Sequence, residues 1–259
     1  MRILMTNDDG VQAEGIRALA QSLREIAEIY VVAPDRERSG TGHCITVFNP
    51  LMVQKVEIPD MADHIWVVDG TPADCVKLGI CAIMKEEPPD FVVSGINRGP
   101  NLGTDVLYSG TVSAAVEGVI LGVPAVAVSL NSYKINEDQS FAARFARAVL
   151  RRINQDGIAK DTILNINVPC IERSQIKGLR ITRLGSRRYE NAFEERQDPR
   201  GRTYYWLGGE VIKEEQEKDS DVAAVNDDYI SITPIHFDLT DYKLINHFRD
   251  LYRDQIDVV

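Results

Sequence analysis

The chain opens on Met1-Arg2-Ile3-Leu4-Met5-Thr6, an apolar run without polar alternation, which predicts a short strand buried on both faces of a parallel sheet. Ile16, Leu19, Ala20, Leu23, Ile26 and Ala27 then fall on one stripe at helical spacing, and Ile29 to Ala33 reads as a second strand. Together they predict a βαβ unit of right-handed crossover. Ile65-Trp66-Val67-Val68 reads as another strand, followed by a helix start with Thr71 as N-cap, Pro72 at the first helical position and Asp74 as the acidic third. Phe91 to Ser94 is a further buried strand, and Val112 to Leu121 an Ala/Val-rich helix whose small residues allow close packing on the sheet. Strand and helix alternate to about residue 170. The pattern predicts a Rossmann-like, doubly wound, mostly parallel sheet with helices on both faces, extended by a β-hairpin segment. The expected division is an α/β core over residues 1–180 and an extension over 181–259 with a hairpin and a terminal helix.

The polar residues gather where the predicted strands end, the edge at which such sheets bind ligands. Asn7-Asp8-Asp9-Gly10 follows the first strand. Successive strand side chains point to opposite faces, so Asp8 and Asp9 converge on one cation only if the chain has already turned, which Gly10 permits. A solvated Asp-Gly turn is the plain alternative. The second strand leaves through Pro34-Asp35-Arg36-Glu37-Arg38-Ser39-Gly40-Thr41-Gly42-His43, where Gly40 lets backbone N–H groups approach an oxyanion and Ser39 offers a neutral oxygen; ordinary loop chemistry reads equally well. No Gly-Lys-Ser/Thr follows, which excludes a P-loop, and the first βα turn lacks the glycine spacing of a dinucleotide fold. His43 is the one histidine near these loops, a candidate proton donor to a leaving oxygen or a structural residue.

A third loop, Gly95 to Gly103, brings Asn97, able to give a carbonyl oxygen to a metal or an amide to phosphate, and Arg98, able to neutralise an anion or brace the loop. Ser109-Gly110-Thr111 opens the Ala/Val-rich helix, and hydroxyls at a helix N-terminus suit phosphate as well as they suit a plain cap.

The chain resembles the SurE family, the survival protein E nucleotidases, through MRILMTNDDG at 1–10, APDRERSGTGHCIT at 33–46, DGTPADCVKLG at 69–79, SGINRGPNLGTDVLYSGTVSAAVEG at 94–118 and DPRGRTYYWLGG at 198–209. The resemblance is weakest over 130–180 and the last two dozen residues. It implies a divalent-metal-dependent phosphomonoesterase acting on nucleoside 5′- and 3′-monophosphates, with short polyphosphate as a further substrate. It also implies one Mg²⁺ or Mn²⁺ per subunit on Asp8, Asp9, Ser39 and Asn97, and phosphate on the Ser109-Gly110-Thr111 turn. Oxygen-only ligands agree with a hard cation. Two rivals stand: a non-catalytic nucleotide sensor, and an aspartyl-phosphate-forming phosphatase, whose Asp-x-Asp pair is broken here by Gly10.

The net charge of −10 over 259 residues argues against loose binding to nucleic-acid polymers, so a small phosphorylated substrate needs local positive charge. The acidic start predicts no signal peptide. The longest apolar run, Val119 to Val128, is broken by Gly122 and Pro124 and is too short to span a bilayer. Cys44, Cys75, Cys81 and Cys170 form no ligand-spaced pair and read as buried thiols in a reducing compartment, as in a cytoplasmic protein, rather than as a zinc site or disulfide framework. Residues 186–220 carry Tyr189, Phe193, Tyr204, Tyr205, Trp206 and Leu207 around the turn-like Asp198-Pro199-Arg200-Gly201. This predicts a long hairpin with more aromatic surface than an isolated arm buries. In the resembled family such arms join protomers into dimers and tetramers, so a homo-oligomer is expected.

Overall fold

The computed structural model describes residues 1–253 apart from Lys160, Ala192 and Lys213. The opening run forms β1 (Arg2–Thr6), with Ile3, Leu4 and Met5 all fully buried, as a strand covered on both faces must be. The predicted stripe forms α1 (Glu14–Leu23), whose Ile16, Leu19 and Leu23 are each shielded completely, but the helix stops short of Ile26 and Ala27, which lie in the turn leading to the next strand. Burial of each such side chain is worth about 1.5–3 kcal/mol. Next come β2 (Glu28–Pro34), β3 (Val53–Val56) and β4 (His64–Val68).

α2 (Pro72–Leu78) starts as its sequence requires: Thr71 Oγ1 accepts from Asp74 N–H at 3.1 Å while Asp74 Oδ2 accepts from Thr71 N–H at 2.9 Å, a reciprocal capping box with Pro72 at the first turn. β5 (Phe91–Arg98) runs four residues past the expected Ser94, carrying Asn97 and Arg98 to the sheet edge. α3 (Gly110–Ile120), β6 (Ala125–Asn131), α4 (Ser140–Asp156) and β7 (Ile163–Pro169) complete the alternation.

The extension holds β8 (Gly178–Ile181), β9 (Tyr189–Glu190), β10 (Phe193–Gln197), β11 (Thr203–Leu207), β12 (Glu210–Val211), α5 (Asp221–Asn226), β13 (Tyr229–Ile235) and α6 (Tyr242–Leu251). β10 pairs antiparallel with β11, and β9 with β12, so the arm is one long hairpin interrupted between its two ladders. β13 returns to the main sheet, whose strand order is β3-β4-β2-β1-β5-β6-β7-β13-β8. β2, β4, β5, β6 and β7 run parallel to β1; β3 pairs antiparallel at one edge, and β13 antiparallel on β7 near the other.

α1 and α4 pack in a core with Ile3 and Met5 on one face, α2 and α3 in a core with Leu4 on the other. The winding reverses between β1 and β5, because β1 leads by α1 to β2 while β5 leads by α3 to β6. The crevice beyond those two strand ends is where an open α/β sheet binds its ligand.

Candidate metal and phosphate site

Asp8 and Asp9 lie just past the end of β1, at this reversal. Gly10 takes φ +93° directly after them, and Asn7 Nδ2 donates to the Gly10 carbonyl at 2.9 Å, so a turn closes around the two carboxylates. Asp8 is 4% exposed. Its Oδ1 accepts from Thr111 Oγ1–H at 2.6 Å, and a β-carbon at position 110 would lie 2.8 Å from that of Asp8, so the N-terminus of α3 closes directly onto this side chain. Burial pushes the Asp8 carboxyl up to about 6, with Asp9 adding to the rise while the Thr111 hydroxyl and backbone N–H oppose it. Asp9 is also raised, chiefly by burial and further by Glu37; the Arg98 N–H, donating to Asp9 Oδ2 at 3.1 Å, and the Arg98 charge act against this.

The Asn97 amide spends its Nδ2 on the Gly99 carbonyl at 2.8 Å, which leaves Oδ1 as an acceptor with no proton of its own. Arg98 Nη2 lies 4.0 Å from Asp9 Oδ1 and 3.4 Å from Glu37 Oε2, so its charge is shared with two acids. Ser39 is exposed, its Oγ donating to Glu37 Oε1 at 2.8 Å, while Arg38 N–H beside it donates to the Asp8 carbonyl at 2.7 Å. Gly40 takes φ +69° in the open loop that follows.

Both adjacent carboxylates are raised by burial, yet Asp9 shares the Arg98 guanidinium with Glu37 and Asp8 accepts from the neutral Thr111 hydroxyl, so the pair lacks positive charge. A divalent cation would supply it, and the available donors are all hard oxygens: Asp8, Asp9, Asn97 Oδ1 and Ser39 Oγ. The chemistry of this donor set fits the metal that the family resemblance implies. Among the described residues no group of three or more His, Cys, Asp or Glu side chains forms a metal cluster, so any such site leans on neutral oxygens as well.

Ser109 Oγ accepts from Val112 N–H at 3.0 Å and caps α3, keeping its own hydrogen to donate. Thr111 has spent its hydroxyl hydrogen on Asp8, so it orients a carboxylate. His43 does not stand alone: its Nε2 is 2.8 Å from Oε2 of Glu117, a residue 3% exposed, whose Oε1 accepts from Lys77 Nζ at 2.8 Å. His43 first and then Lys77 hold the Glu117 carboxyl below its ordinary range against the opposing effect of burial. Sequence reasoning missed Glu117. Its signal was an acid inside an otherwise apolar helix, seven residues and so two turns after Gly110. A cleft of about 350 Å³ lined by Gln12, Arg98, Lys134, Ile135 and Gln139 opens beside Asp9, within the size range of small-ligand sites.

Fold and crevice together define a doubly wound α/β protein whose polar side chains converge at the switch point of its sheet. The family model described as Survival protein SurE matches residues 3–191, and the chain belongs to that family. It is 61% identical over 249 residues to the 5′-nucleotidase SurE of Syntrophomonas wolfei subsp. wolfei, covering 96% of this chain and 94% of the relative. Identity to the 5′-nucleotidase SurE of Heliobacterium modesticaldum is 55% over 250 residues, covering 96% and 91%. The crystal structure of the Sure protein from Aquifex aeolicus is 41% identical and superposes with a TM-score of 0.84, covering 97% of this chain and 99% of that one. The mostly parallel sheet with helices on both sides is therefore the fold of this family.

Proposed function

We propose that this chain is a divalent-metal-dependent phosphomonoesterase that hydrolyses nucleoside 5′- and 3′-monophosphates to nucleoside and phosphate, and that short polyphosphate offers it the same terminal phosphoryl group. The observation that carries the reading is the buried Asp8, set against the N-terminus of α3 at the switch point with the half-buried Asp9 beside it. The names of the relatives support nucleotide hydrolysis. Asp8, Asp9, Asn97 and Ser39 would hold one Mg²⁺ or Mn²⁺ per subunit, which supplies charge neutralisation at the phosphoryl oxygens and acidifies a water. Thr111 holds Asp8 in place for that purpose. Ser109 donates its hydroxyl to the phosphate, and the α3 N-terminus with Gly40 and Gly110 N–H groups favours its negative charge. Arg98 balances Asp9 and Glu37 until an anion arrives. His43 braces the Ser39 loop through Glu117, and Nδ1 is the one ring nitrogen left for proton transfer to the leaving oxygen.

Residues 1–180 act as the catalytic core and 181–259 as the assembling extension in this reading. Phe193, Tyr205, Trp206 and Leu207 are all more than half exposed on the arm, which supports a homodimer or homotetramer through residues 186–220. Among the described residues no helix is long and apolar enough to cross a membrane, and all four cysteines are free, in keeping with a reducing cytoplasm, although Cys44 and Cys81 lie exposed on the surface where burial was expected. Phosphate release from AMP with and without EDTA tests the proposal: no release under any metal leaves the sensor reading in its place.

A further inference from the structure

The turn that delivers Ser109 to the site is bonded along its length to the stem of the arm. Residues Gly103–Leu107 form a short 3-10 helix that leads through Tyr108 into α3. Such pieces have poor internal hydrogen-bond geometry, so external bonds decide where they sit. At its start, the fully buried Asp221 accepts from Gly103 N–H through Oδ2 and from Gly185 N–H through Oδ1, both at 2.8 Å, so one carboxylate bridges turn and stem. Thr104 Oγ1 then donates to the Arg187 carbonyl at 2.7 Å. Asp105 Oδ2 accepts from the Tyr189 hydroxyl at 2.6 Å and lies 2.8 Å from Arg187 Nη1. The Asp105 carbonyl accepts from Tyr108 N–H at 3.0 Å. One residue thus grips the stem with its side chain and the approach to Ser109 with its backbone.

The geometry points to Asp105 as a positioning residue that transmits the placement of the arm stem, through Tyr189 and Arg187, to the Ser109 phosphate turn. Asp105 touches neither phosphate nor metal in this scheme; it acts through Ser109. The inference rests on the proposed phosphate role of that turn. Because coupling between sites is reciprocal, whatever loosens the stem weakens phosphate binding, and bound phosphate steadies the stem.

Calorimetric titration of the full-length chain with inorganic phosphate, in saturating Mg²⁺, tests this in Tyr189→Phe, Asp105→Asn and Ser109→Ala variants. Tyr189→Phe keeps the ring and removes one hydroxyl, so it remains informative should Asp105→Asn fail to fold. We expect the phosphate Kd to rise about threefold to tenfold in Tyr189→Phe and Asp105→Asn, since only part of the lost bond to a charged group is passed on to the Ser109 turn. The Mg²⁺ Kd, read in a separate titration, should stay within about twofold, and the pair of substitutions together should cost no more than the larger single one, since both cut the same link. A purely structural contact would lower the melting temperature and leave the phosphate Kd alone. Unchanged phosphate binding in Tyr189→Phe with weakened binding in Ser109→Ala overturns the coupling; unchanged binding in both overturns the phosphate turn itself.

Discussion

Replacing Asp8 by Asn should stabilise the metal-free protein while destroying its proposed function. The Asp8 carboxyl, ordinarily near 3.9, is pushed up to about 6 by burial. A folded-state pKa above the unfolded one means that the folded chain holds this proton more tightly. The penalty for charging Asp8 is absent below about pH 4, develops between about pH 4 and 6, and is complete above that; stability therefore falls as pH rises through this window. About two pKa units correspond to roughly 3 kcal/mol. Asn keeps the volume and an oxygen for the Thr111 hydroxyl but carries no charge, so the expected gain at pH 7.5 in EDTA is about 1–3 kcal/mol, or roughly 3–10 °C in melting temperature for a chain of this size. Melting curves of wild type and Asp8→Asn, with EDTA at pH 7.5 and pH 4.5 and with Mg²⁺ at pH 7.5, measure it. The gain should shrink at pH 4.5, and Mg²⁺ should raise the melting temperature of wild type alone. An Asp8→Asn protein that melts lower than wild type in EDTA at pH 7.5, or that Mg²⁺ stabilises as strongly, would refute the reasoning.

Ser109→Ala and Thr111→Val separate the two jobs at the start of α3. The first should lower stability by about 1 kcal/mol and weaken phosphate inhibition by the roughly 1.5–3 kcal/mol of a bond to a charged group, whereas the second should lower turnover and leave phosphate inhibition nearly intact; steady-state kinetics with added phosphate distinguish them. Glu117→Gln should cost stability at neutral pH and progressively less in acid, because the contribution of a carboxyl held low in the folded state is complete above its unfolded pKa and is lost as pH falls through the folded one; an undiminished loss in acid, read by chemical denaturation across the pH series, would dismiss the His43–Glu117–Lys77 cluster as the cause. Excising residues 190–216 should give a lighter particle by light scattering that Mg²⁺ still stabilises, and an unchanged mass would reject assembly through the arm.

What the sequence made legible was local. The apolar run of β1, the stripe of α1 and the Thr71 and Ser109 caps each depend on neighbours within a few positions, and all are present. β5 was expected to stop at Ser94 because Gly95 and the polar Asn97 and Arg98 look like loop, yet pairing with β6 continues to Arg98. The insertion of β13 between β7 and β8 depends on a return of some sixty residues, which no local pattern announces. The same limit hid Glu117, Asp105 and Asp221: each acquires its meaning from a partner 36 to 118 positions away. Thr111 shows the reverse case. Its hydroxyl was read as facing phosphate, and tertiary packing turned it to Asp8.

The central claim is that this crevice hydrolyses nucleotides with a divalent cation held by Asp8 and Asp9, and it is tested most directly by inorganic phosphate release from AMP. The purified full-length chain, stripped with EDTA and then titrated with Mg²⁺ or Mn²⁺, should release no phosphate until the metal is added. Asp9→Asn should remain nearly inactive throughout, since it removes a charged donor. Turnover that survives EDTA, or an Asp9→Asn protein with wild-type turnover, would contradict the account.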